Sequence, residues 1–161
     1  MTVRYRYCFE DLQVGQRFHS EPITLTAEGI MEFARQYDPQ PFHTDPEAAK
    51  NTVFGGLLAP GLYTLCLTFG QYFRLQLWES LGSPGLDRIR WLNRSGRAIR
   101  CSIDRNRIGS GFALAARDGH RRHPPRAYNQ HGEMLMTVEC TDFVKRHPYD
   151  RFADSGVAER L

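Results

Sequence analysis

The chain has no apolar run of membrane-spanning length, no cysteine pair at C-x-x-C spacing and nothing resembling a secretory leader. Because about 20 consecutive apolar residues are needed to cross a bilayer, the first absence excludes a transmembrane helix read from sequence. Cys8, Cys66, Cys101 and Cys140 stand far apart, which fits buried or inert thiols in a reduced, cytoplasmic protein. His19, His120, His123, His131 and His147 show no ligand spacing, so no metal is expected. Lysine is missing from residues 94–127, which hold nine arginines against two acids, a net +7 that leaves −4 for the rest of a chain carrying +3 in total. Such a block suggests nucleic acid or an anionic ligand, or a solvated disordered segment. It has no aromatic interleaving beyond Phe112 and no recognisable module, so nucleic-acid binding is disfavoured.

What is present reads as one domain over residues 1–147 with a polar tail at 148–161, in a chain of 161 residues. Thr26 is a good helix N-cap. After it, Ile30, Phe33, Ala34 and Tyr37 fall at i, i+3, i+4 and i+7, predicting an amphipathic helix that Asp38-Pro39 stops. The stretch YDPQPFHTDP follows, an acid and an imidazole five positions apart where three prolines oppose regular helix and stiffen the path. Asp45 reads as the N-cap of a short helix through Lys50, and Gly55-Gly56 breaks the chain. Residues 57–82 are apolar on more than one helical face, with Pro60-Gly61 at the start, which predicts a buried helix whose first N–H groups are free to meet a ligand. Residues 86–93 and 134–144 alternate like strands, and the fold class expected is α+β. Residues 94–127 show no period of either kind.

Tyr37-Asp38-Pro39-Gln40-Pro41-Phe42-His43-Thr44-Asp45, then Phe54-Gly55-Gly56 and Ala59-Pro60-Gly61, resemble the MaoC-like acyl dehydratases, hot dog fold relatives of the (R)-specific enoyl-CoA hydratases. An acid, then a histidine five on, then a glycine eighteen beyond it, is fairly specific as a set. The resemblance runs over about residues 8–93 and resumes at about 128–147. It implies an antiparallel sheet wrapped around a long central helix, a homodimer, and an acyl-CoA thioester as substrate. Asp38 and His43 match the catalytic pair, and Gly61 matches the residue whose backbone N–H meets the thioester oxygen. Phe42, Phe54, Gly56, Tyr63 and Thr64 are candidates for the substrate pocket. No cofactor is implied. The expected reaction is addition of water across the α,β double bond of an enoyl-CoA, giving an (R)-3-hydroxyacyl product. A hot dog thioesterase and a catalytically silent hot dog scaffold are the alternatives.

After Asn93 the family pattern continues with a stretch like PVRPGDTL, whereas this chain reads RSGRAIRC. Suitably chosen codons for PVRPGDTL, read one base late, translate as Arg94 to Cys101 in full. Phe112 to Arg126 can likewise be encoded so that the shifted frame reads SRSRPGMGIVGIHHE. Residues 94–127 therefore read as an out-of-frame window inside a hot dog sequence. The expected consequence is a central helix that loses part of its cover and a scaffold of impaired stability or activity.

Overall fold

A computed structural model describes residues 4–13, 16–94, 98–104, 118–123 and 125–147; the expected tail at 148–161 lies outside them. A 3-10 turn (Phe9–Asp11) leads to strands β1 (Arg17–His19) and β2 (Ile23–Thr24). Helices α1 (Ala27–Tyr37), α2 (Pro41–Thr44), α3 (Pro46–Lys50) and α4 (Gly61–Arg74) follow. The chain then forms β3 (Ser80–Trp91), β4 (Ala98–Asp104), β5 (Asp118–His123), β6 (Pro125–Tyr128) and β7 (Met134–Lys145). All strand pairs are antiparallel, in the order β1-β4-β6-β7-β3, with β2 on β4 and β5 on β7.

β7 organises the sheet because it pairs with β3, β5 and β6. Its alternation buries Val138, Cys140, Asp142 and Val144 on one face, joined by Leu135 and Met136. Each buried aliphatic side chain contributes about 1.5–3 kcal/mol relative to exposure. The hairpin into β7 closes on a turn at 129–133: Asn129 N–H donates to Glu133 O at 3.0 Å, and Gly132 supplies a φ of 80° that a side chain would strain. β3 tolerates Pro84 because, among the described strands, only β7 pairs with it and one edge needs no N–H.

The helices start where their caps dictate. Thr26 Oγ1 accepts from Gly29 N–H at 3.1 Å, and Asp45 Oδ1 accepts from Glu47 and Ala48 N–H at 2.8 and 3.1 Å. Ile30 and Ala34 are buried as expected, while Tyr37 is 60% exposed with its ring on Phe33.

Three expectations are corrected. The proline stretch is not helix-free before the expected α3: Pro41 opens the single turn α2, because a first helical residue needs no N–H donor. The helix expected within 57–82 is shorter, Gly61–Arg74, and is not buried all round. Its buried positions are Thr64, Thr68, Gln71 and Tyr72, with the threonine hydroxyls donating to Pro60 O and Thr64 O, while Leu62 and Phe73 are 49% and 55% exposed. The arginine window also contributes strands. β4, β5 and β6 fall in it, and α4 packs on β4 and β6, so the helix keeps backbone cover there. Backbone ladders form without side-chain alternation, which is why no period announces them. Residues 95–97, 105–117 and 124 lie outside the described part of the window.

Candidate active site

Asp38 is the residue on which α1 ends. Its N–H still donates to Ala34 O at 2.9 Å, while Pro39 diverts the chain out of the helix. One carboxylate oxygen accepts from the Gln40 side-chain amide at 2.7 Å. The other, Oδ2, lies 3.4 Å from His43 Nε2, the His43 side chain being 6% exposed and that of Asp38 24%. The five-residue spacing thus spans the helix exit plus one turn, and α2 swings the imidazole back towards the carboxylate.

His43 is anchored on its far side. Nδ1 lies 2.7 Å from the backbone oxygen of Leu58, and Leu58 N–H returns a bond to Phe42 O at 3.1 Å. A carbonyl only accepts, so Nδ1 carries a proton, and a neutral ring held this way would present a lone pair at Nε2. Nε2 and a carboxylate oxygen are then two acceptors facing each other, an arrangement that holds a shared proton or takes up the O–H donors of one water.

Both groups open on a cavity of about 570 Å³ that Gly61, Phe42, Phe54 and Thr64 also line. Gly61 is the first residue of α4, where N–H groups have no intrahelical partner and the helix dipole is positive. Phe42 stands edge-on to the His43 ring at 4.4 Å and meets Phe54 at 5.1 Å. Two pocket candidates fall elsewhere. Tyr63 packs against Phe33 at 4.9 Å and reaches Gly29, so it joins α4 to α1. Gly56 does not line the cavity and has open space around it.

Sequence reasoning missed Trp91, Leu92, Asn93 and Arg94, which also line the cavity. Trp91 Nε1–H donates to Gly61 O at 2.9 Å. Arg94 donates to the carbonyls of Val53 and Phe54, and its guanidinium sits 5.4 Å from the Phe54 ring centroid. The position of Trp91 at the end of a strand carried no signal of this, because only the fold brings β3 beside the start of α4. Leu58 acts through its backbone, which side-chain patterns cannot reveal.

Among the described residues, Cys8, Asp11 and His147 bring three potential metal-ligating atoms within 4.8 Å of one another, away from the cavity residues. Asp11 is already engaged there, accepting from Cys8 N–H at 2.7 Å and meeting His147 Nε2 at 3.0 Å. No helix among the described residues is long and apolar enough to cross a membrane.

Residues 11–83 match the family described as MaoC like domain. Uncharacterized protein YdeM of Bacillus subtilis strain 168 is 34% identical over 80 residues, 50% of this chain, and the match spans about half, 52%, of that protein. A MaoC-like dehydratase from Rhodospirillum rubrum superposes with a TM-score of 0.77 at 28% identity, covering 89% of this chain and 99% of that one. An (R)-hydratase from A. caviae involved in PHA biosynthesis superposes with a TM-score of 0.65 at 20% identity over 86% and 99% of the two chains, a likeness of fold. The chain therefore has the hot dog fold, and its residues 11–83 are similar to a MaoC like domain.

Proposed function

We propose that the protein is a hydratase/dehydratase that adds water across the α,β double bond of an enoyl-CoA thioester, with Asp38 and His43 as the acid–base pair. The observation that carries this reading is their meeting at 3.4 Å on the wall of one cavity that the start of α4 also lines. A base takes a proton from water as the hydroxyl adds to Cβ. The electrons of the double bond move onto the thioester carbonyl, and the enolate collapses as an acid delivers a proton to Cα. With a neutral imidazole and a carboxylate facing one water, the proton taken from water is the one delivered to Cα, returned by the group that took it or by its partner across the short Asp38–His43 gap, and such general acid–base transfer is worth about 10²–10⁴ in rate. The Gly61 N–H and the positive end of α4 stabilise the oxyanion, and such a donor contributes about 10²–10³. The reaction needs no redox cofactor.

The apolar lining from Phe42, Phe54, Leu58 and Leu62 suits the acyl chain. Product of (R) configuration follows the resemblance to the (R)-specific hydratases. The reading includes a homodimer, supported by the exposure of Leu62 and Leu92 at the cavity in one subunit, 49% and 53%, which a second copy would cover.

Incubation of crotonyl-CoA with wild type, Asp38→Asn and His43→Gln tests the reading through loss of enoyl absorbance and identification of the product. Hydration by wild type that falls in both variants by about 10²–10⁴ supports it. Release of free thiol without a hydroxyacyl thioester would assign the site to thioester hydrolysis instead.

A further inference from the structure

Gly61 faces an aromatic wall. A Cβ built on it would lie 2.7 Å from Trp91 Cε2, 2.9 Å from Nε1 and 3.1 Å from Cδ2, so the indole rests directly against the Gly61 backbone. The ring is held there from two sides. Its own N–H is bonded to Gly61 O, and the next residue, Leu92, donates its N–H to Leu135 O at 2.8 Å, fixing the end of β3 on β7. The indole is nonetheless 48% exposed, on the cavity that Asp38 and His43 share.

We propose that Trp91 is a specificity-determining residue whose indole packs against the thioester group and excludes substituents at Cα of the acyl chain. The inference rests on the hydratase reading above. A carbonyl oxygen accepting from the Gly61 N–H sits about 2.7–3.1 Å from that nitrogen, and the nitrogen is about 1.46 Å from the Cα on which the ring lies. A carbonyl held by that N–H and the indole are therefore anchored on the same residue and share one cavity, which places them as neighbours on the hydratase reading. On the acyl side the nearest appendage to that carbonyl is whatever Cα carries. A hydrogen fits against a fixed ring, and a methyl group competes with it for space. Discrimination by one methyl-sized group in a packed site is worth about 10–200-fold.

Trp91→Ala and Trp91→Phe, with kcat/KM measured on crotonyl-CoA and on its α-methyl analogue, give the test. Trp91→Ala is expected to raise the ratio of α-methyl to unsubstituted substrate about tenfold or more, and Trp91→Phe, which keeps a ring, to leave it near the wild-type value. Turnover with an unchanged ratio in Trp91→Ala overturns the inference and leaves the hydratase reading standing. Absence of turnover by wild type on both substrates overturns the reading and the inference together. A second measurement needs no catalysis. The chain has two tryptophans, and Trp78 is 5% exposed in a separate cluster with Tyr72, so a fluorescence change on adding the saturated thioester butyryl-CoA reports Trp91. A shift in wild type that is lost in Trp91→Phe supports the contact. Calorimetric binding without any shift contradicts it.

Discussion

His43 is useful because one of its nitrogens is already spent. The Leu58 carbonyl holds the proton on Nδ1 and leaves Nε2 as an acceptor towards Asp38, and the two anchoring tasks separate on substitution. His43→Asn retains an amide N–H near the place of Nδ1 but has nothing at Nε2. It is expected to keep a thermal midpoint close to wild type while losing about 10²–10⁴ in hydration rate, checked by calorimetry beside the crotonyl-CoA assay. The cysteines divide in the same way by surroundings. Burial pushes the Cys140 thiol up to about 12, with the nearby Asp142 carboxylate adding to the effect, so it stays protonated and inert. Cys66 is exposed on α4, which corrects the expectation of uniformly buried or inert thiols. Maleimide treatment of the native protein should label Cys66 and spare Cys140, with peptide mass mapping as the readout.

At the scale of elements, the 3-10 turn and the end of β7 are joined by Arg146 to Glu10 and by His147 to Asp11 at 3.0 Å. The His147 hydrogen bond holds the Asp11 carboxyl below its ordinary 3.8, and Asp11 in turn raises His147 above its ordinary 6.5. A depressed acid contributes stability above its unfolded value and loses it as pH falls through the lowered one. A raised histidine contributes below its unfolded value and loses it as pH rises through the raised one. The pair is therefore fully effective between 3.8 and 6.5 and weakens outside that window. His147→Gln should remove the decline in thermal midpoint on the alkaline side of 6.5 that this histidine causes, a small effect because both groups are exposed. Elements also show where sequence was informative. α1 and β7 were legible because single periods of 3.6 and 2 matched a single buried face, and Thr26 and Asp45 capped as their types predict. α4 was legible as a helix but not in its burial, since threonine hydroxyls satisfied by carbonyls one turn back replace the apolar face that hydropathy implied. β4 and β5 were invisible because their sequences carry no period of 2, and β6, whose burial does alternate, is only the four residues Pro125–Tyr128.

For the whole molecule, the proposed acid–base pair, Asp38 and His43 at 3.4 Å, is held on a scaffold whose residues 94–127 do not read like the rest. Asp38, His43 and Gly61 could be placed in advance because their spacing reflects one helix exit, one turn and one helix start. Trp91 and Arg94 could not, because they reach the cavity only through sheet closure. On the out-of-frame reading, replacing Arg94–Cys101 by PVRPGDTL restores the stretch that the family pattern carries at this point. The replacement is then expected to raise the thermal midpoint by about 2–4 °C for each kcal/mol regained, while leaving the Asp38–His43 chemistry in place. An unchanged or lowered midpoint would argue that the chain is already adapted to this segment.

The most direct test of the central claim is where water goes. Crotonyl-CoA incubated with the protein in isotopically labelled water, followed by mass spectrometry, should yield an intact thioester with the heavy oxygen on the β-carbon, and Asp38→Asn should abolish its formation. Heavy oxygen in a free carboxylate, with coenzyme A released, would contradict the account.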